Sequence, residues 1–109
     1  MSSVHYKGAS GALLVFDLTN INSYRHTVEW MNEFRQQAPS NAKIMLVGNK
    51  LDLVELNPAL RCTEKKLIQQ MAKVNNILYI ETSAAVDKYV AEAFHVLLHG
   101  RHVLIDRHK

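Results

Sequence analysis

The sequence predicts an α/β domain built on a parallel sheet, because three short apolar runs alternate with three segments of helical periodicity. The runs are continuous rather than alternating, as strands covered on both faces are. With 109 residues and 48% hydrophobic content, the chain fits one compact domain over 1–109.

The first strand is expected at Gly11 to Asp17, reading GALLVFD, closed by the polar stretch TNINS. Lys43 to Gly48, reading KIMLVG, is the second, and Ile77 to Glu81, reading ILYIE, the third. Between the first two, Tyr24, Val28, Met31 and Phe34 recur at helical spacing, with Asn22 or Ser23 as N-cap and Pro39 as terminator. Thr63 opens a second helix whose apolar face is Leu67, Ile68, Met71 and Val74; Pro58 marks the loop before it. Asp87 opens a third, carrying Val90, Ala93, Phe94, Leu97 and Leu98. The closing stretch RHVLIDRHK reads as a fraying helix end or a short tail.

Composition excludes little by itself. A formal net charge of +3, evenly spread, gives no reason to expect nucleic acid or a membrane surface as partner. The single cysteine, Cys62, cannot form an internal disulfide, and no apolar leader or long apolar run is present, so a cytoplasmic protein is expected. With no cysteine near its C-terminus the sequence carries no lipid-anchor signal. His95, His99 and His102 share a helical face but lack a thiol or carboxylate beside them, so a solvated face is expected rather than a metal site.

In open α/β sheets ligands bind beyond the carboxyl ends of the strands, which directs attention to the residues after each run. After the second stands Gly48-Asn49-Lys50-Leu51-Asp52, and after the third Glu81-Thr82-Ser83-Ala84-Ala85.

These two loops resemble the Asn-Lys-x-Asp and Thr-Ser-Ala loops with which small GTPases of the Ras superfamily read guanine. The resemblance implies that the Asp52 carboxylate accepts two roughly parallel hydrogen bonds from the N1 and N2 groups of that base, donors that adenine does not present at that edge. Tyr6-Lys7-Gly8-Ala9-Ser10-Gly11-Ala12-Leu13-Leu14-Val15-Phe16-Asp17-Leu18-Thr19 is similar to a stretch typical of the Rab branch, and Ser23-Tyr24, Trp30 and Val90-Ala91-Glu92-Ala93-Phe94 extend the likeness to about Leu98. The resemblance implies a partial P-loop NTPase (Ras-like) fold with three parallel strands and three helices. It also implies GTP or GDP as ligand, Mg²⁺ beside it, and a place in intracellular vesicle traffic. By the same likeness the guanine-binding residues are Asn49, Lys50, Asp52, Ser83, Ala84 and Ala85. Asn49 would tie the two loops together and face N7, the stem of Lys50 would lie along base and ribose, and the Ala84 amide would donate to O6, with Thr82 and Ser83 holding the loop.

Two departures qualify these expectations. Ala85 stands where the family usually has a lysine that packs over the base, so weakened base binding is expected. Nothing matches G-x-x-x-x-G-K-[ST], the threonine that closes over Mg²⁺, or the D-x-x-G-Q segment that positions water. The sequence therefore offers no catalytic residue and no metal ligand, and GTP hydrolysis by this chain alone is not expected. In the family's six-stranded sheet the fourth strand lies between the first and the fifth. The three runs here correspond to the fourth, fifth and sixth, which leaves the outer edge of Gly11 to Asp17 without a partner. Self-association or a foreign strand at 11–17, in a nucleotide-independent interaction module, is the alternative function.

Overall fold

The computed structural model describes residues 10–83, Val90, Glu92 and Phe94, and the backbone of 103–107. Four parallel strands form one sheet in the order β3-β2-β1-β4: β1 at Gly11–Asp17, β2 at Lys43–Asn49, β3 at Leu78–Glu81 and β4 at Val103–Arg107. The three expected strands are present, two of them shifted by a single residue at one end, an ordinary scatter at strand limits.

Two expectations are overturned by β4. The stretch read as a fraying tail pairs with β1 in parallel register from Gly11↔Val103 to Val15↔Arg107, so the outer edge of β1 is not vacant. Val103-Leu104-Ile105 is a short apolar run that was hidden behind a helical segment and followed at once by charge. Those charges suit its position. A five-residue edge strand ending in Asp106 and Arg107 is a protected edge, whereas a bare β1 would be a long apolar one.

Side chains alternate across the strands with period two, and the core divides accordingly. Ala12, Leu14 and Phe16 of β1 join Ile44 and Leu46 of β2 on one face, packed against α1 (Ile21–Gln37) and α3 (Lys65–Val74). Leu13 and Val15 join Val47 on the other, against Phe94 and the partly buried Val90, residues of the helical segment expected there. Residues 12–16 of β1 are 0% exposed, consistent with neighbours on both edges and both faces.

Asn20, not Asn22 or Ser23, caps α1: its side-chain oxygen accepts from the amides of Asn22 and Ser23. Ser23 is instead buried, accepting from the Asp17 amide at 2.9 Å and donating to main-chain oxygens of Asp17 and Asn20, which pins the helix start to the end of β1. Trp30 and Phe34, one turn apart, stack with ring centres 5.7 Å apart.

The second predicted helix forms with Glu64 at its N-cap position rather than Thr63, and its inner face is rotated. Ile68 and Ala72 are buried, while Leu67 and Val74 are 54% and 84% exposed. A ten-residue helix buries only a narrow stripe, and the i, i+4 pair of Ile68 and Ala72 fills it. A short helix missed in the sequence, α2 at Leu51–Leu56, follows β2 directly and leads into a 3₁₀ turn at Pro58–Leu60. No helix among the described residues is long and apolar enough to cross a membrane.

Candidate guanine-reading site at the carboxyl ends of the sheet

The candidate residues converge because β2 and β3 are parallel neighbours that end at the same level, with Gly48 paired to Glu81. Two main-chain hydrogen bonds continue the ladder into the loops: the Thr82 amide donates to the Gly48 carbonyl at 2.8 Å, and the Leu51 amide donates to the Thr82 carbonyl at 3.0 Å. Asp52 and Ser83 are thereby brought to one open depression of about 250 Å³, lined by Leu51, Asp52, Glu55, Glu81, Thr82 and Ser83. That is below the roughly 300–1,000 Å³ of a typical small-molecule pocket.

Lys50 makes the turn from strand to helix in the left-handed region, at φ 68°. This conformation is uncommon for a residue with a Cβ, and it places Asp52 in the first turn of α2, where the helix dipole favours a carboxylate. The Asp52 side chain is exposed and has no hydrogen bond or ion pair among the described residues, so its oxygens remain available as acceptors.

The geometry gives partners to two of the candidate residues. The tie between loops is main-chain, as given above; the Asn49 side chain accepts from the Lys50 amide at 2.8 Å and so stabilises the left-handed turn. The Lys50 ammonium is bound to Asp17 at 2.8 Å, which fixes its stem across the carboxyl end of β1. Burial raises the Asp17 pKa, but hydrogen bonds from Lys50 and from the amide and hydroxyl of Thr19 outweigh it and hold the carboxyl below its usual range. Ala84 and Ala85 lie outside the described residues, as do the histidines at 95, 99 and 102.

Sequence reasoning missed a buried cluster beneath the depression. Arg61 meets Glu81 through two bonds of 2.8 Å each, and the Tyr79 hydroxyl donates to the same carboxylate at 2.6 Å. The Glu81 side chain is 2% exposed. Burial opposes its ionisation, but Arg61 and then Tyr79 more than compensate, leaving its pKa lowered; burial and Glu81 together push the Tyr79 phenol up. The cluster clamps the segment after the 3₁₀ turn to the residue immediately before Thr82 and Ser83. The signal available was the arginine after Pro58 together with a glutamate at the end of an apolar strand, two charges that need each other once one is buried.

Gly48 is required by close packing. A Cβ there would lie 2.7 Å from Leu18 Cδ2 and 2.8 Å from the Tyr79 hydroxyl. Thr82 Oγ1 is the buried side-chain polar atom without a partner among the described residues. Cys62 is half-buried, and burial pushes its thiol up, away from nucleophilic use. Among the described residues no group of three histidine, cysteine or carboxylate side chains could hold a metal ion.

A parallel sheet that gathers an Asn-Lys-x-Asp turn and a Thr-Ser loop at its carboxyl end has the architecture of an open α/β, Ras-like fold class. The Ras family model matches residues 1–102, and the chain belongs to that family. It is Rab-like: it is similar to GTP-binding protein ypt3 of Schizosaccharomyces pombe, 43% identical over 98 residues, and to Ras-related protein RABA4d of Arabidopsis thaliana, 39% identical over 98. Those alignments cover 90% of this chain but 44% and 42% of the two relatives, so the chain spans less than half of their length.

Proposed function

We propose that the chain is the guanine-reading part of a Rab-like GTPase, binding GDP or GTP through the base and acting in vesicle traffic. The observation that carries the reading is the main-chain tie between the two loops, which brings the Asp52 carboxylate, without a partner among the described residues, and the Thr82-Ser83 loop to one open depression. Asp52 accepts from guanine N1 and N2, the Ala84 amide meets O6, and Ala85 leaves the face of the base less covered than a lysine would. The Thr82 hydroxyl beside the depression, buried and without a partner among the described residues, is a further polar group there. The printed name of the S. pombe relative, a GTP-binding protein, supports the ligand class.

Two charge-assisted hydrogen bonds at about 1.5 kcal/mol each would favour guanine over adenine roughly a hundredfold. No stretch of the sequence matches G-x-x-x-x-G-K-[ST], so on this reading the chain by itself binds nucleotide weakly.

Titration with a fluorescent GDP analogue, with GDP, ADP and XDP as competitors, tests the reading on the native sequence and on Asp52→Asn. An asparagine amide can donate to the 2-oxo group of xanthine where aspartate accepts from guanine. The preference should pass from GDP to XDP. Saturable binding that Asp52→Asn leaves unchanged would remove Asp52 from the site.

A further inference from the structure

The hydrogen bonds at the carboxyl end of the sheet close into a circuit. Just past β1, the Leu18 carbonyl accepts from the Cys62 amide at 2.8 Å, and the Leu18 amide donates to the Asn49 carbonyl at the end of β2 at 3.0 Å. One residue earlier on β2, the Gly48 carbonyl accepts from the amide of Thr82, which follows the last residue of β3, Glu81. Arg61, the neighbour of Cys62, returns to Glu81 through its guanidinium. The ends of β1, β2 and β3 and the segment after the 3₁₀ turn are thus joined in one ring of bonds.

All links of this ring but one run from main chain to main chain and are indifferent to the side chains present. The closing link is the Arg61–Glu81 pair. Its geometry is specific: Nη1 reaches Oε2 and Nη2 reaches Oε1, each at 2.8 Å, and the Tyr79 hydroxyl donates to Oε2 at 2.6 Å. A planar guanidinium that meets both oxygens of a carboxylate fixes its orientation as well as its distance, which a single ammonium would not. Gly48 leaves room for the third donor, since a Cβ there would stand 2.8 Å from the Tyr79 hydroxyl.

The group held in this way is the root of one loop of the depression. Glu81, Thr82 and Ser83 line it, and Arg61 is not among the lining residues. Thr82 carries both bonds of the tie between the loops, its amide donating to Gly48 and its carbonyl accepting from Leu51. Without the fork from Arg61, the residue before Thr82 keeps Tyr79 as its side-chain donor, and the ring is open. We infer that Arg61 is a positioning residue for base recognition, acting through Glu81 to hold Thr82 and Ser83 at the depression, and this rests on the guanine reading proposed above.

The test separates positioning from stability by comparing Arg61→Met with the double variant Arg61→Met, Glu81→Gln. The second change removes the stranded charge and so restores stability, but it does not restore the fork. Both proteins are titrated with the fluorescent GDP analogue under conditions where circular dichroism shows them folded. Each should bind about tenfold more weakly than the native chain, keeping the preference for GDP over XDP that Asp52→Asn reverses. Affinity that returns with stability in the double variant, or a loss below about twofold in both, overturns the inference. If Arg61→Met does not fold, the double variant decides. Amide exchange without nucleotide measures the hold on the loop directly. In the double variant the exchange of Thr82 and Leu51, taken relative to Leu46 and Val47, should be about tenfold faster than in the native chain. An unchanged ratio also overturns the inference. If the native chain binds no nucleotide, the guanine reading fails, and the exchange ratio alone decides whether Arg61 holds the loop.

Discussion

Replacing Arg61 by methionine is the most informative perturbation of the site's scaffold. It leaves a hydrophobic stem of similar reach and strands the Glu81 carboxylate, 2% exposed, with Tyr79 as its remaining hydrogen-bond donor. Breaking a buried ion pair from one side costs about 3–5 kcal/mol. The Arg61 side chain is 19% exposed, which lets some water replace the guanidinium, so a loss of about 2–4 kcal/mol is expected here. Glu81→Gln added to Arg61→Met removes the stranded charge and still accepts from Tyr79; the double variant should recover at least half of the loss. Urea unfolding of the four proteins in the cycle, followed by circular dichroism, measures this.

The pH dependence fixes the sign. In the native chain the Glu81 pKa is lowered, so its stabilisation is complete above the unfolded glutamate value of about 4.3 and is lost as pH falls through the lower folded value. Without Arg61, burial becomes the leading influence and the folded pKa should rise above the unfolded one. The deficit of Arg61→Met should therefore shrink between neutral pH and about pH 4.3. A deficit that is constant across this range, or a double variant as unstable as the single one, would refute the assignment of Glu81 as a buried charge held by Arg61.

Gly48→Ala should cost about 1–3 kcal/mol by overpacking, because the new methyl meets Leu18 and Tyr79 at under 3 Å. Urea unfolding measures it, and an unchanged midpoint would show that Leu18 and Tyr79 yield freely. Thr82→Val should be neutral or stabilising by about 1 kcal/mol, since it exchanges an unpartnered buried hydroxyl for a methyl group. A loss of that size instead would reveal a partner for Oγ1.

The sheet was legible where burial dictated composition. Gly11 to Asp17 and Lys43 to Gly48 are covered on both faces and therefore read as unbroken apolar runs, and both appear as strands in parallel register. What escaped was local or borrowed. α2 begins from a left-handed Lys50, a conformation that no letter announces, and its six residues are too few for a helical period. β4 has only three apolar residues, and what makes it a strand is the ladder offered by β1, ninety-two positions away in the sequence at Gly11↔Val103. The candidate letters were visible in Asn49 to Asp52, but the bonds Asn49 makes to the Lys50 amide and Lys50 makes to Asp17 were not, because side-chain partners depend on what the backbone brings near.

The partners of the candidate residues bear on how the strand ends are held. Two backbone hydrogen bonds prolong the β2–β3 ladder into the loops, and the Arg61–Glu81–Tyr79 cluster ties Glu81 to the segment after the 3₁₀ turn. Lys50, bound to Asp17, connects the end of β2 to the end of β1. The three strand ends are thus braced as a unit before any ligand arrives, and Asp52 is the ionisable group in the turn left without a partner among the described residues. A preorganised carboxylate loses little conformational freedom on meeting a planar base, which is the advantage the proposed guanine site would draw from this bracing.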